Sequence, residues 1–285
     1  MSKERNADDL FSPIYAKRQF VVVFPDQFFE SNESGRDGDE IRLLTNLAKD
    51  TLMRGLVPGL VGVAISAAKV GWEAYNKARE NGVDALPIKL SEAAFLSFPP
   101  GHPQIGRLYV GHPADPDLYY TVASFHRVTF EHKFSEAIRL LMHLGATKLR
   151  VEHVSGWSRE FAAKLSVPIP AASASISAGA QSENQTSLLF EASLPGNKSK
   201  ALPENLAWYP HEQTWKSMAE GRLNFGLTEF NLVVNYEDDF GVNAKLETNA
   251  KKAGFDLGGT FNTHQATAWR ISGSFADLAA EIPNA

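Results

Sequence analysis

The sequence contains no cysteine among its 285 residues. This absence excludes disulfide bonds, thiolate catalysis and metal centres that are held by cysteine. The sequence also lacks an excess of basic charge, because 28 lysines and arginines stand against 33 aspartates and glutamates. A protein that binds nucleic acid uses basic charge to neutralise phosphates, so we expect no nucleic acid among the partners.

Long apolar runs are also scarce. The uncharged segment Gly55–Ala68 is shorter than the ~20 apolar residues that a membrane-spanning helix needs, so we interpret it as a buried core helix. Its small residues Gly55, Gly59 and Gly62 would allow another backbone to approach closely, which keeps a membrane-seeking or helix-packing element as an alternative. The polar start Met1–Asp9 leads into no apolar signal region, and we therefore expect a cytoplasmic protein.

The composition is that of a globular protein, with 44% hydrophobic and 21% charged residues. An apolar run at Gln19–Phe24 predicts a buried strand, and residues 29–40 are interpreted as a mobile acidic loop. Further helices and strands are expected up to Val154. The sequence therefore predicts an α+β fold, with a mixed α+β domain at residues 1–155 and a β-rich antiparallel region at 156–285.

The β-rich region opens with strict alternation of apolar and polar residues. Small or apolar side chains recur at every second position from Ala172 to Ala180, among them Ile176, and the alternation resumes at Leu188 and Phe190. A short polar turn between these two segments would place their apolar residues on one face. We therefore predict an amphipathic β-hairpin at residues 172–194.

A second alternating unit lies near the end of the sequence. Residues 242–250, which include Leu246, alternate in the same way, and so do residues 255–263 with Leu257 and Phe261. The alternation continues through Trp269, Ile271 and Phe275, which predicts a long or bent strand there. The apolar positions change from even to odd numbers across residues 251–254, which a four-residue turn requires. A helix at 242–252 is the alternative, since lysine and alanine favour helices, but the period favours a second hairpin.

Each hairpin arm is close to the ~9 to 11 residues of a tilted transmembrane strand. In pattern the two units resemble the membrane-inserting hairpins of pore-forming proteins of the gasdermin and perforin kind. The resemblance implies a membrane-disrupting effector recruited to lipid, for example in bacterial defence. Several copies would be needed, because only a closed ring of strands leaves no unpaired edge in hydrocarbon. The alternative is a homo-oligomeric binding or scaffold protein with ordinary half-buried sheets.

No catalytic or cofactor-binding motif is found in the sequence. The eight histidines are scattered without the spacing of a zinc site, and the repeated Gly-His-Pro at residues 101–103 and 111–113 is interpreted as two turns around a short strand. Trp208 and Trp215 are candidate interface aromatics, with core packing as the commoner use. We therefore expect a non-enzymatic protein with no metal and no cofactor.

Overall fold

The computed structural model describes residues 15–26, 29, 72–157, 188–197 and 199–276. In chain order the elements are α1 (Tyr15–Arg18), β1 (Phe20–Phe24), α2 (residues 72–80), β2 (Leu86–Lys89), α3 (Leu90–Ala93), β3 (Leu108–Gly111), β4 (Tyr119–Thr121), α4 (Phe125–His143), β5 (Ala146–Ser155), β6 (Leu188–Ser193), a 3₁₀ turn (Tyr209–His211), α5 (Gln213–Phe225), β7 (Glu229–Tyr236), α6 (Ala244–Ala253) and β8 (Thr267–Phe275). Helices combined with two sheets rich in antiparallel pairs confirm the predicted α+β class.

The chain divides into two compact units. Unit 1 comprises Met1–Val128 and Phe240–Thr263, and unit 2 comprises Thr129–Asp239 and His264–Ala285. Several sequence predictions fall outside the described residues: the acidic loop from residue 30 onward, the segment Gly55–Ala68 and the first hairpin arm at 172–180.

Unit 1 contains a four-stranded sheet in the order β2-β1-β3-β4. β1 pairs in parallel with β2 and antiparallel with β3. Val22 and Phe24 lie in one cluster of buried side chains, whereas Val21 and Val23 lie in another. A strand that is covered on both faces needs apolar residues at successive positions, which explains the continuous apolar run of β1.

Residues 244–253 of unit 1 form helix α6, so the predicted strand at 242–250 is wrong. The apolar residues Leu246, Ala250 and Ala253 share the buried face of this helix. Their spacing of four and three is helical, yet Leu246 and Ala250 also fit a period of two, which is why the pattern was ambiguous. Residues 255–263 form no strand either, and the predicted second hairpin is therefore absent.

The two ends of α6 explain why the helix forms. The Asn243 side chain accepts hydrogen bonds from the backbone N–H groups of Lys245 and Leu246, at 3.1 and 3.2 Å. Gly254 ends the helix with a left-handed φ of 94°, and its N–H donates to the carbonyl of Ala250. An asparagine N-cap and a glycine after the last turn are standard helix boundaries. These end signals outweigh the alternation.

Unit 2 contains a second four-stranded sheet in the order β6-β5-β8-β7, antiparallel throughout. Helix α4 packs on one face of it, with the rings of Phe130 and Phe134 centred 4.9 and 5.0 Å from the ring of Trp269. The predicted strand through Trp269, Ile271 and Phe275 is confirmed as β8.

A buried arginine connects three segments of unit 2. Arg222 is 1% exposed and donates hydrogen bonds to the carbonyls of Leu144, Leu227 and Ala276, at 3.1, 2.9 and 2.8 Å. Its guanidinium also lies 4.7 Å from the ring centroid of Phe275. Carbonyls at the ends of helices and strands lack hydrogen-bond donors from their own element, and the rigid guanidinium fork of Arg222 supplies these donors. Arg222 thereby fixes the residues just before β7 and just after β8.

The cap of α6 gives a direct test of the helix. Replacing Asn243 by alanine should lower the free energy of unfolding by ~1 kcal/mol, because two N–H groups lose their acceptor. Asn243→Ser is the matched control, since serine also caps helices and should have almost no effect. Urea denaturation of the three proteins measures the difference. Equal stability of the alanine and serine variants would contradict the capping role.

Candidate functional site

Most of the described interface candidates from the sequence are core residues. Leu246 and Leu257 are buried in unit 1, and Phe261 is half-buried against the same cluster. Trp208 and Trp215 are buried in unit 2, with exposed fractions of 6% and 0%. The structure thus brings three of the predicted residues together, but inside a core and not on a surface.

The remaining candidates are divided between β6 and the undescribed part of the chain. Leu188 and Phe190 lie on β6 and are half-buried. Phe190 pairs with Val151 of β5, and its ring is centred 6.1 Å from that of Phe134 on the face that α4 covers. Ile176, Gly55, Gly59 and Gly62 lie outside the described residues.

The first Gly-His-Pro turn is anchored to the sheet of unit 1 by a buried tyrosine. Tyr109 of β3 is fully buried, and its hydroxyl accepts a hydrogen bond of 2.7 Å from the N–H of Gln104. His102 Nδ1 lies 2.7 Å from the same hydroxyl, and because that hydroxyl already accepts from Gln104, we infer that Nδ1 accepts its proton. Because an unpaired buried donor is costly, we infer that His102 is neutral and carries its proton on Nε2.

Burial and the positive charge of Arg107 both favour the neutral form of His102. Burial lowers the pKa of His102, and the positive charge of Arg107 lowers it further, while Asp256 opposes this effect. Arg107 itself is paired, with its Nε 3.0 Å from a carboxylate oxygen of Asp256. The arrangement offers a neutral imidazole N–H beside an arginine that is already neutralised. This chemistry suits a hydrogen bond that stabilises a turn, and His102 is therefore assigned a structural role.

A different kind of site lies at the edge of the sheet in unit 2, along β7. The N–H of Phe275 donates to the carbonyl of Thr228, which places Thr228 in a hydrogen-bonded pair with β8. Backbone groups of an antiparallel strand point alternately to one side and the other. Residues of even number in β7 therefore bond to β8, whereas those of odd number direct their N–H and C=O groups away from it.

The outward groups of β7 have almost no partners. Within the described part of the chain, no hydrogen bond reaches the outward N–H or C=O groups of Glu229, Asn231 and Val233. The side chains of these residues are exposed on the outer face, and Val233 is 37% exposed. β7 therefore presents a row of backbone donors and acceptors that another strand could complete.

The other sheet edges in the described ranges are shorter or interrupted. β2 has four residues and contains Pro87, and β4 has three residues and lies beside a bridge from Ser97. β6 has six residues and pairs with β5 across a shift in register at Val151. β7 has eight residues that pair with β8 in unbroken register, and it contains no proline or lysine. Short length, proline, lysine and bulges all block strand addition, so β7 is the most accessible edge.

A carboxylate from α4 holds the segment that leads to β7. Glu136 is 5% exposed and accepts backbone hydrogen bonds from Ala207, Trp208 and Tyr209, at 2.7, 2.8 and 2.8 Å. Three N–H donors stabilise a buried carboxylate without an ion pair. The 3₁₀ turn before α5 is thereby fixed to α4.

Lys133, one turn earlier on α4, reaches the end of the β7 edge. Its Nζ donates to the outward carbonyl of Asn235 at 2.7 Å and forms an ion pair with Glu212 at 2.5 Å. The ammonium also lies 4.9 Å from the ring centroid of Trp208. A carbonyl oxygen has two lone pairs, so Asn235 can still accept a bond from an added strand. Lys133 therefore bonds to the outward carbonyl at the Asn235 end of the edge, while the outward groups of Glu229, Asn231 and Val233 have no partner in the described residues.

Sequence reasoning missed the open edge of β7. The alternation of buried and exposed residues from Glu229 to Tyr236 shows which side chains face the core. It does not show whether a neighbouring strand lies on one side or on both. The signal that could have found the edge was the absence of proline, lysine and glycine from this strand.

The lowered pKa of His102 predicts how stability depends on pH. The folded protein binds fewer protons at His102 than the unfolded chain does, so the free energy of unfolding should fall as the pH drops below the ordinary value of 6.5. His102→Asn keeps an acceptor for the Tyr109 hydroxyl but does not titrate. Its unfolding free energy should therefore show a smaller loss between about pH 7 and pH 5. Identical pH profiles for the two proteins would contradict the role of His102.

The geometry of β7 predicts a pattern of amide hydrogen exchange. In dilute protein the N–H groups of Asn231 and Val233 should exchange rapidly, because they point away from β8. Those of Leu232 and Val234 should exchange slowly, because they are bonded to β8. Exchange followed by NMR separates the four amides. Equal protection at all four positions would show that the outer edge is already paired.

Comparison with protein families, with curated proteins and with solved structures finds no match to the chain. In the part of the chain that the structure describes, no helix is both long and apolar enough to cross a membrane. The same residues include no group of three or more histidine, aspartate or glutamate side chains that could hold a metal ion. The candidate binding site that the described residues present is the edge of β7, with its outward backbone groups.

Proposed function

We propose that the chain is a non-enzymatic binding or scaffold protein that takes up an extended strand at the edge of β7. The observation that carries this proposal is the row of outward backbone groups at Glu229, Asn231 and Val233, which have no partner in the described residues. Strand addition to an exposed sheet edge is a common mode of protein recognition. The added strand gains main-chain hydrogen bonds, and side chains on alternate positions provide specificity.

The surroundings of β7 favour this mode of binding. Arg222 fixes the chain just before the strand, and Lys133 and Glu136 fix the parts of unit 2 beside it. A strand that is already held in its extended form loses little conformational freedom on binding. Each new hydrogen bond contributes only ~0.5 to 1.5 kcal/mol net, so useful affinity requires several in a row. The length of β7 provides them.

The hypothesis of membrane-inserting hairpins stays a prediction, and fewer residues now support it. Helix α6 replaces one arm of the second hairpin, so the hypothesis depends on residues 172–194 alone. Leu246 and Leu257 are buried in unit 1, and Phe190 packs against α4. Lipid contact by these residues would require them to leave their present neighbours. Strand addition at β7 requires no such rearrangement.

Substitution at Val233 tests strand addition directly. Val233→Pro removes an outward N–H and places a ring at the edge, while the bonds to β8 remain. Peptides selected from a random displayed library for binding to the native chain should bind this variant at least ~tenfold more weakly, as loss of hydrogen bonds and steric blocking at the edge predict.

Val233→Thr is the matched control for that experiment. Threonine has a similar shape, favours strands and keeps the backbone N–H, so the selected peptides should bind it as they bind the native chain. Circular dichroism and thermal unfolding establish that both variants are folded. Peptides that bind the proline variant and the native chain equally well would contradict the proposal.

A further inference from the structure

We infer that the strand added at β7 is the β7 strand of a second copy of this chain, in an antiparallel arrangement with its two-fold axis at Leu232. This inference rests on the proposed function and names its partner. Two identical edges meet isologously in a two-fold dimer, so β7 must be complementary to itself. The sheets of the two copies would then form one continuous sheet.

The direction of the backbone groups restricts the register. Only residues of odd number in β7 point outward, so each inter-copy hydrogen-bonded pair must join two odd residues. Because both members of every such pair have odd numbers, the midpoint of the register falls at a residue. The two-fold axis therefore passes beside a residue and not between two successive residues. An axis on Leu232 or on Val233 gives the longest overlap of the two strands.

Charge decides between these two registers. An axis on Val233 would place Glu229 opposite Glu237 of the second copy, and like charges that face each other across strands are destabilising. An axis on Leu232 places Glu229 opposite Asn235, so that a carboxylate faces an amide. Glu229, Asn235 and Glu237 are all exposed, and their side chains can meet in this way without leaving a core. The Leu232 register is therefore favoured.

The other pairs in this register are also compatible. Asn231 would exchange two backbone hydrogen bonds with Val233 of the second copy, and Glu229 would do the same with Asn235. Between these pairs Leu232 of one copy would face Leu232 of the second copy, and Phe230 would face Val234 of the second copy. The latter side chains are apolar and lie on the inner face of β7. The apolar row of one sheet would thus continue into the next.

Disulfide trapping of two single variants tests the register, and the absence of natural cysteine leaves the background clean. Glu229→Cys and Asn235→Cys are prepared separately and mixed under mild oxidation. Residues in a hydrogen-bonded pair have Cα atoms ~5.5 Å apart, within the usual range for a disulfide. The mixture should yield a covalent dimer, and each variant alone should remain monomeric on denaturing gels. A mixture of Glu229→Cys with Val233→Cys is the control for an axis on Asn231 and should not crosslink.

Sedimentation equilibrium of the native chain accompanies the trapping. Its mass should shift from 31.3 kDa towards twice that value as the concentration rises. A native chain that stays monomeric at every concentration would overturn the inference, although peptide binding at β7 could still support the proposed function. A dimer without the 229–235 crosslink, or with the 229–233 crosslink, would overturn the register. Peptides that bind the native chain and the Val233→Pro variant with equal affinity would contradict the proposed function itself.

Discussion

A strand that pairs on one side only leaves every second N–H and C=O group unpaired along its other side. This constraint applies to unit 2, because β7 is the last strand of its sheet and directs the backbone of Glu229, Asn231 and Val233 outward. Natural proteins usually shorten, twist or charge such an edge. β7 is long and regular, which is why we propose that its outer groups form a binding surface.

The rest of unit 2 keeps this edge in position. The aromatic contacts between α4 and β8 form the core on the inner face of the sheet, and Arg222 joins the carbonyls where α4, α5 and β8 end. Lys133 and Glu136 extend from α4 to β7 and to the turn before α5. Buried charged groups are stable in a core only when hydrogen bonds satisfy them, and each of these three makes several.

Local patterns predicted much of the fold. The apolar run of β1 and the alternation through Trp269 and Ile271 identified strands correctly, since each pattern reports which faces are covered. The alternation at 242–250 misled because Leu246 and Ala250 fit both a helix and a strand. There the decisive signals were Asn243 and Gly254, which act at the ends of the segment and not along it. The order of the strands in the sheet could not be predicted from local sequence patterns, because β5 pairs with β8 across a long stretch of sequence.

Sedimentation of Val233→Pro beside Val233→Thr tests most directly whether the β7 edge joins two chains. The threonine variant should associate as the native chain does, whereas the proline variant should keep the monomer mass of 31.3 kDa over the same concentrations. Two folded variants with the same mass at every concentration would contradict this expectation.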